Sequence, residues 1–358
     1  MIKQKILLFL QDGVGGAERI SVLLGKSLPK ERYDIVFCLV ERECKTSIAD
    51  FIPNGYPIIR IENTNPLKMV WRLISVIWRE QPHVVFSSVM YLNTKILSFN
   101  FLFPKTRFVI RCENYLYTFN KKQRSFIHLC YHRADAIIAQ TQEMKDELVN
   151  EMHIKDEKIN VIQNPVDTEL IDRLVGEGKN PYPQNGKKHI VASGRFTYQK
   201  GFDLLIRAFC MIIKERDDID LFIIGDKDKE NGKVFQDVMK IAYENNAEKN
   251  VHCLGYQKNP YIYIRHADCF VLSSRWEGLP NVMIEALYLG TPIAAFKCIP
   301  VIERIVKNGE TGFLAEKEDI YSLSLAMQNA FALGRVNSKY KFNLSVDFEQ
   351  IIIGTKIK

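Results

Sequence analysis

The chain lacks several features that define whole classes of protein. Its 358 residues contain no run approaching about 18 consecutive apolar residues, which argues against a membrane-spanning helix. The eight cysteines form no Cys-x-x-Cys pair and no zinc-ligand spacing, so we expect reduced core cysteines in a cytoplasmic chain. There is no short internal repeat and no low-complexity tract, and a content of 47% hydrophobic and 25% charged residues excludes disordered and fibrous architectures.

The N-terminal segment also lacks the small-residue cleavage site of a signal peptide. The apolar stretch in MIKQKILLFLQDGVGG runs directly into a glycine turn, so we expect a first buried strand there. The length itself favours two domains, since about 100–200 residues per domain is usual.

Acidic residues are scarce in one window of the sequence. Between Arg60 and Cys130 there are eleven Lys or Arg against three Glu, a net of +8, whereas the whole chain carries +7. The window is also rich in aromatic residues. Such a surface suits an anionic lipid headgroup, a membrane surface or a nucleic acid, and the alternative is a charged face with no lipid role.

Short β-rich runs alternate with amphipathic helix-length segments from end to end, which is typical of parallel doubly wound sheets. Strands are predicted in the first half at residues 5–10, 33–40, 83–87, 107–111, 135–139 and 159–162, and in the second half at 189–194, 221–226, 251–255, 269–274 and 292–296. The Gly-, Pro- and Asn-rich segment 176–188 is the best linker. We therefore predict two Rossmann-like α/β domains, residues 1–175 and 189–345, facing a cleft that holds the site.

Two loops have the composition of anion-binding turns. Residues 11–20, QDGVGGAERI, follow the first strand, and Gly15 and Gly16 precede a helix whose amides face that point; a plain tight turn is the alternative. Residues 193–209 place Arg195 and Lys200 between a strand and a helix that opens at Gly201. Two cations there suit a pyrophosphate, although solvated surface cations explain them as well.

The most specific pattern is SSRWEGLPNVMIEALYLGTP, residues 273–292. Glu277 follows a strand, Asn281 is predicted to cap the next helix, and Glu285 lies about one turn inside that helix. A carboxylate on a mostly apolar helical face needs a polar partner, such as a ribose hydroxyl.

Three other patterns favour structural interpretations. Asp226-Lys227-Asp228 resembles a metal-binding triplet but lies in a hydrophilic turn, and His128 and His132 are interpreted as residues of a helix face without a third metal ligand. An apolar helical stripe is interpreted as the core face of a crossover helix packed on its sheet. The stripe comprises Leu67, Val70, Trp71, Ile74, Ile77 and Trp78.

The order of these motifs resembles the glycosyl transferases group 1 family of retaining, nucleotide-sugar-dependent enzymes with the GT-B fold. The resemblance rests on the Gly-Gly-Ala-Glu loop, Asn-Pro-Val-Asp at 164–167, Gly-Arg-Phe with Gln-Lys-Gly at 194–201, and Glu277-x7-Glu285. It spans nearly the whole chain. It implies that segment 346–358 is a C-terminal helix returning to the first domain.

The resemblance also implies roles for individual residues. Arg195 and Lys200 would bind the donor diphosphate and stabilise the leaving nucleotide, and with Glu277, which faces the donor sugar, they form the catalytic set. Glu285 would hold the ribose hydroxyls. The other donor-binding candidates are Gly15, Gly16, Tyr256, Gly278, Leu279 and Asn281.

The sequence departs from the family pattern in two places. Many members carry a histidine after the fourth strand of the first domain, where this chain has Arg111, Glu113 and Asn114; with Glu18, these are the acceptor-side candidates. The Gly-x-Gly that often follows the second strand of the second domain is here Gly225-Asp226-Lys227.

The implied activity is metal-independent transfer of a hexose or N-acetylhexosamine from a UDP-type donor, with no cofactor. The acceptor would be a glycan or a polyprenyl-diphosphate-linked glycan at the inner face of the cytoplasmic membrane, for cell-surface polysaccharide assembly. A nucleotide-sugar 2-epimerase of the same fold is an alternative, as is a non-catalytic lipid- or nucleic-acid-binding protein. Nucleic acid is not expected as a partner, because it would leave the paired carboxylates unexplained.

Overall fold

The computed structural model describes residues 3–41, 46–63, 65–227, 232–339 and 347–354. Its contacts divide the chain into two compact units, Met1–Pro165 together with Leu344–Lys358, and Val166–Asn343. Each unit is a parallel sheet with helices packed on it.

The division between the units falls upstream of the segment 176–188. Helix α6 (Thr168–Gly176) is part of the second unit, because its last turns bond to that unit. Asn259 Nδ2 donates to Leu174 O at 2.7 Å, and the Tyr288 hydroxyl donates to Asp172 Oδ2 at 2.7 Å.

The described strands of the first unit form one parallel sheet in the order β3-β2-β1-β4-β5-β6-β7. They are β1 (Gln4–Gln11), β2 (Tyr33–Val40), β3 (Ile58–Ile61), β4 (Val84–Ser87), β5 (Arg107–Arg111), β6 (Ala136–Ala139) and β7 (Ile159–Val161). The inner strands are almost entirely buried because helices cover both faces of the sheet. The helices are α1 (Gly16–Lys26), α2 (Pro66–Glu80), α3 (Met90–Ser98), α4 (Lys121–Tyr131), α5 (Gln142–Asn150) and the C-terminal α13 (Asp347–Ile353).

The second unit has its described strands in the order β10-β9-β8-β11-β12-β13, again all parallel. They are β8 (Lys188–Ser193), β9 (Ile219–Ile224), β10 (Val251–Gly255), β11 (Cys269–Leu272), β12 (Ile293–Phe296) and β13 (Gly312–Ala315). Its helices besides α6 are α7 (Phe202–Ile213), α8 (Lys233–Glu244), α9 (Tyr261–His266), α10 (Asn281–Tyr288), α11 (Pro300–Ile305) and α12 (Ile320–Ala330). The two doubly wound α/β units confirm the predicted fold class.

Helix α13, at the end of the described chain, packs on the first unit. Phe348 meets the Phe86 ring edge-on, with centroids 5.5 Å apart. Glu349 accepts a hydrogen bond from the Tyr33 hydroxyl at 2.8 Å, and the Arg107 Nε donates to Ile351 O at 3.2 Å. The helix therefore contributes to the core of a unit from which it is far removed in sequence.

Helix α2 contradicts the interpretation of its apolar stripe. Leu67, Trp71 and Trp78 are 77%, 72% and 70% exposed. The residues that face the sheet include Met69 and Leu73, both fully buried. The helix carries two apolar faces, and periodicity alone does not select the one that packs. The interpretation of the stripe as the core face was therefore wrong for Leu67, Trp71 and Trp78, whereas Ile77 at the edge of the stripe is fully buried.

Six of the seven described cysteines are buried and all seven are free. Burial raises the pKa of the Cys38 and Cys269 thiols. Cys44 lies outside the described residues. Among the described helices, none combines the length and the hydropathy needed to cross a bilayer.

Candidate functional site

The strand order of the second unit reverses between β8 and β11. In parallel α/β sheets, ligands bind beyond the carboxyl ends of the strands at such a switch point, because the connections on either side diverge and leave a crevice. The segment 194–201 leaves the end of β8 and the segment 273–280 leaves the end of β11. The two segments that carry Arg195, Lys200 and Glu277 therefore meet at this point.

Hydrogen bonds lock these two loops together. The Arg275 amide donates to Gln199 O at 2.8 Å, and the Ser273 hydroxyl donates to Lys200 O at 2.9 Å. The Gln199 side-chain amide donates to Trp276 O at 3.0 Å. Backbone and side-chain bonds of this kind fix the position of both loops before any ligand arrives.

Lys200 and Glu277 form an ion pair between the two loops. Lys200 Nζ lies 2.6 Å from Glu277 Oε1, and the Ser274 hydroxyl donates to the same oxygen at 2.6 Å. The two charged side chains are 19% and 9% exposed. A partly buried ammonium held in this way has little rotational freedom to lose when it binds an anion.

Arg195 occupies the same loop with a different environment. Its side chain is exposed, and it makes no ion pair with any other described residue. The loop therefore offers one cation held by a carboxylate and a second one open to a ligand.

Two glycines allow the strand ends to approach closely. A Cβ on Gly225, directly after β9, would lie 1.8 Å from the Gly194 carbonyl oxygen. A Cβ on Gly201 would lie 2.1 Å from Ser273 O, and its φ of +60° is one that favours glycine. Gly225, the first glycine of the family's usual pair, thus serves close backbone packing here.

Helix α10 carries Glu285 about one turn from its start. The helix begins at Asn281 with Pro280 in the capping position and no side-chain cap, so the prediction that Asn281 caps the helix was wrong. The Tyr261 hydroxyl donates to Glu285 Oε1 at 3.4 Å. This fully buried tyrosine gives the carboxylate a polar partner on an otherwise apolar helix, as its position in the sequence required.

The remaining donor-binding candidates of this unit follow strand ends. Gly278 and Leu279 are buried in the loop before α10. Tyr256 directly follows β10 and is 42% exposed. All of them lie at the carboxyl edge of the sheet, where the connections leave parallel strands.

Arg275 is a central residue of the site that sequence reasoning missed. Only 6% exposed, it binds both carboxylate oxygens of Asp203 at 2.9 and 2.7 Å and donates to Tyr198 O at 2.8 Å. Its guanidinium also lies over the Tyr198 ring, 3.9 Å from the centroid. Arg275 ties the loop after β11 to the first turn of α7. In the sequence, the available signal for this pair was Arg275, two residues before Glu277, and Asp203, two residues after Gly201.

The first unit has its own switch point, between β1 and β4. Gly15 caps α1 in an extended conformation without a side-chain bond, and Gly16 is the first residue of the helix. Glu18, in the first turn, is 8% exposed, and a Cβ on Gly15 would lie 2.4 Å from its Oε2. The glycine loop thus brings the Glu18 carboxylate against the backbone.

Arg111 lies inside the first unit. It is 2% exposed, and its Nη2 donates to Asn164 Oδ1, while Asn93 Nδ2 donates to Arg111 O at 3.0 Å. Asn164 Nδ2 in turn donates to Gln140 Oε1 at 3.0 Å. The asparagine of the Asn-Pro-Val-Asp motif therefore holds this arginine. Burial lowers the pKa of Arg111 to about 10, opposed by the charges of Glu113 and Glu18.

Glu113 is the acceptor-side candidate whose pKa is shifted towards neutral pH. Partly buried beside Asn114 after β5, it accepts a hydrogen bond from the Met90 amide at 2.9 Å. Burial raises its pKa to about 7, and the Glu18 carboxylate adds to this, whereas the Met90 amide and Arg111 oppose it. Glu113 is therefore a carboxyl group that changes charge near neutral pH.

This pKa predicts a dependence of stability on pH. Because Glu113 keeps its proton to a higher pH in the folded chain than in the unfolded one, it lowers stability as pH rises from about 4.5 to 7. Glu113→Gln should remove that loss and gain about 3 kcal/mol over wild type at pH 8, but little at pH 5. Urea unfolding across this range, with the exposed Glu31→Gln as control, measures the difference. A gain that does not depend on pH would contradict the assignment.

The motifs interpreted as structural remain outside this site. The rings of His128, on α4, and His132, the exposed residue that follows the helix, pack edge to face with centroids 5.4 Å apart. Asp228 of the Asp-Lys-Asp triplet lies outside the described residues. Within the described ranges, no three His, Cys, Asp or Glu side chains form a group that could hold a metal ion.

Comparison with known proteins assigns the family. A model described as glycosyl transferases group 1 matches residues 178–342, and one described as Glycosyltransferase Family 4 matches residues 14–170. The chain therefore belongs to the GT-B glycosyltransferases, with a group 1 domain in its second half and a family 4 domain in its first half. The predicted resemblance to the glycosyl transferases group 1 family is thereby confirmed.

Curated relatives are glycosyltransferases, and a solved structure shares the fold. An uncharacterized glycosyltransferase of Methanocaldococcus jannaschii is 36% identical over 173 residues, which cover 47% of this chain and 41% of that protein. The N-acetylgalactosamine-N,N'-diacetylbacillosaminyl-diphospho-undecaprenol 4-alpha-N-acetylgalactosaminyltransferase of Campylobacter jejuni is 25% identical, over 94% of this chain and 93% of that enzyme. Among solved structures, Anabaena HepE in complex with UDP has a TM-score of 0.78 at 17% identity, over 98% of each chain. That structure supports the fold.

Proposed function

We propose that the chain is a retaining glycosyltransferase that moves a hexose or N-acetylhexosamine from a UDP-sugar to a glycan or lipid-linked glycan acceptor, in the assembly of cell-surface polysaccharide. The observation that carries this proposal is the Lys200–Glu277 pair at the switch point of the second unit, with Arg195 on the same loop. Two cations at a strand-end crevice match the charge of a diphosphate.

The donor is proposed to lie across the carboxyl edge of the second sheet. Arg195 and Lys200 bind the diphosphate, Glu285 accepts hydrogen bonds from the ribose hydroxyls, and Tyr256 contacts the base. Glu277 and the backbone at Gly278, Leu279 and Asn281 orient the sugar. In the first unit, Gly15 and Gly16 are proposed to contact the donor, and Glu18, Glu113 and Asn114 are proposed to contact the acceptor.

Glu277 is better suited to orienting the sugar than to attacking it. Its Oε1 already accepts from both Lys200 and Ser274, each at 2.6 Å, which reduces its nucleophilicity. We therefore propose a same-face substitution. The bond between the sugar and the diphosphate breaks first, the acceptor oxygen attacks from the face that the diphosphate leaves, and the acceptor proton passes to a diphosphate oxygen.

In this mechanism the rate depends on stabilising the charge of the leaving diphosphate. Lys200 and Arg195 supply positive charge where that negative charge develops, so their effect is greater in the transition state than in the ground state. We propose that these two side chains suffice without a metal ion. EDTA should then leave turnover unchanged.

The acceptor is proposed to be lipid-linked and the enzyme to act at the inner face of the cytoplasmic membrane. The net charge of +8 between Arg60 and Cys130 supports this, because polyprenyl diphosphates and anionic headgroups are both negative. The Campylobacter jejuni relative, whose name specifies a diphospho-undecaprenol acceptor, supports it as well.

The test is transfer from UDP-[¹⁴C]sugars to a polyprenyl-diphosphate-linked glycan, followed by NMR of the product. We expect UDP release to require the acceptor, and an α-linked donor sugar to give an α-linked product. An inverted anomeric configuration would contradict the retaining mechanism. Consumption of the UDP-sugar without an acceptor would instead indicate an epimerase or a hydrolase.

A further inference from the structure

Helix α2 presents an apolar face to solvent in addition to the face that it buries. Leu67, Trp71 and Trp78 lie on one side of the helix, because positions separated by four and by seven residues share a face. All three are at least 70% exposed. Large aromatic side chains in this arrangement are unusual on a helix whose opposite face already packs in the core.

A neighbouring turn carries further exposed apolar side chains. Phe101 and Leu102, which follow α3, are 68% and 50% exposed. Helices α2 and α3 contact each other and lead into the paired parallel strands β4 and β5, so their C-terminal ends lie at the same edge of the sheet. We call the set Leu67, Trp71, Trp78, Phe101 and Leu102 the aromatic surface.

Basic side chains border the aromatic surface. Lys68, Arg72 and Arg79 follow each other along one flank of α2. Arg72 pairs with Glu62 at 2.5 Å and Arg79 pairs with Glu80 at 3.0 Å, while Lys68 makes no ion pair with any described residue. The three cations of this flank outnumber Glu62 and Glu80, so the surface is complementary to a partner that is both anionic and apolar.

An anionic bilayer is the partner that meets both requirements. Tryptophan rings settle at the headgroup level, and lysine and arginine on the flank of an interfacial helix contact lipid phosphates. A second copy of the chain would bring two basic windows together at a cost in repulsion. A nucleic acid would leave Leu67 and Leu102 without an apolar partner.

We propose that the aromatic surface docks the first unit on an anionic lipid bilayer, with α2 lying along the interface. This inference rests on the proposed function, because an enzyme whose acceptor is linked to a membrane lipid has to bind at the membrane surface. It adds the face by which the enzyme binds and the orientation of α2 relative to the membrane plane.

The chain has three tryptophans, which allow a direct test. Trp71 and Trp78 belong to the aromatic surface, and Trp276 lies in the second unit. In Trp276→Phe, brominated phospholipid in phosphatidylcholine–phosphatidylglycerol vesicles should quench most of the fluorescence. In Trp71→Phe/Trp78→Phe it should quench none of the emission that remains. Quenching of Trp276 alone, or of no tryptophan, would overturn the proposal.

Vesicle flotation measures the strength of the interaction. Trp71→Ser/Trp78→Ser should lower partitioning on the order of tenfold or more, whereas the matched pair Tyr243→Ser/Tyr321→Ser, also exposed but in the second unit, should leave it unchanged. Lys68→Gln should weaken binding to anionic vesicles, and vesicles of phosphatidylcholine alone should bind little. If Trp71→Ser/Trp78→Ser and Tyr243→Ser/Tyr321→Ser partitioned equally, the aromatic surface would not be the face that binds the membrane. If the wild type bound equally to anionic and to phosphatidylcholine vesicles, the partner would not be an anionic bilayer.

The outcome is distinguishable from failure of the proposed function. Trp71 and Trp78 lie outside the nucleotide-binding loops, so Trp71→Ser/Trp78→Ser should keep the full increase in melting temperature on binding UDP. Loss of vesicle binding with that increase retained supports the docking surface. If the wild-type chain bound vesicles but no nucleotide, the proposed transferase function would be wrong, whereas membrane docking by the aromatic surface would still be supported.

Discussion

Lys200→Met is expected to lower kcat/KM for sugar transfer by about 10²–10³-fold, the effect of removing one preorganised donor from a developing anion. The side chain is proposed to stabilise the leaving diphosphate, a contribution that methionine cannot replace at similar size. The matched control is Lys240→Met, because Lys240 is an exposed lysine of the same unit paired with Glu244. Steady-state kinetics with UDP-sugar and acceptor give the comparison.

The same substitution is expected to affect stability, and this effect can be separated from catalysis. Removing Lys200 takes the cation away from the buried Glu277 carboxylate and leaves it the hydrogen bond from the Ser274 hydroxyl, which should cost about 2 kcal/mol because the pair is only partly buried. Lys200→Met/Glu277→Gln removes both charges and should recover most of that stability without recovering activity. If the double variant regained wild-type turnover, the role of Lys200 would be purely structural.

Gly201→Ala is expected to destabilise the second unit by about 3 kcal/mol or more. Its φ of +60° costs an alanine about 1–2 kcal/mol, and a Cβ 2.1 Å from the Ser273 carbonyl oxygen would also push the loops after β8 and β11 apart. Since Lys200 precedes this glycine, affinity for the nucleotide should fall as well.

Gly309→Ala separates the cost of the positive φ from the cost of the clash between the added Cβ and a neighbouring atom. Gly309 has a φ of +77° but nothing within 4 Å of its Cβ position, so alanine there should cost about 1 kcal/mol through the backbone alone. Chemical denaturation of both variants provides the difference. Equal destabilisation of Gly201→Ala and Gly309→Ala would contradict the close approach of the two loops.

Much of the fold follows from the sequence because buried parallel strands are apolar throughout their length. The predicted strands at Tyr33–Val40, Arg107–Arg111 and Val251–Gly255 have the observed bounds. Two edge strands, Ile58–Ile61 and Gly312–Ala315, were not predicted. Both are only partly buried at the edge of a sheet, whereas the equally short inner strands are buried throughout and have the stronger apolar signal.

The sequence predicts the site residues that directly follow the strands of a parallel sheet. It does not predict the residues whose position depends on how side chains pack. Arg195, Lys200 and Glu277 follow β8 and β11, and parallel order brings those ends together. The bonds from Arg275 to Asp203 join residues 72 positions apart, a separation that a single sequence does not reveal. The burial of Arg111 and the exposure of Trp71 depend equally on which face of an element meets the core.

Nucleotide binding by the wild-type chain and by Lys200→Met/Glu277→Gln tests the central claim most directly. Thermal-shift measurements with each nucleoside diphosphate, with and without EDTA, report binding to the folded chain by mass action. We predict that UDP raises the melting temperature of the wild type equally in both conditions, and that the double variant, though folded, shows no increase. A wild-type chain that responds to no nucleoside diphosphate, or a double variant that responds fully, would contradict the proposed site.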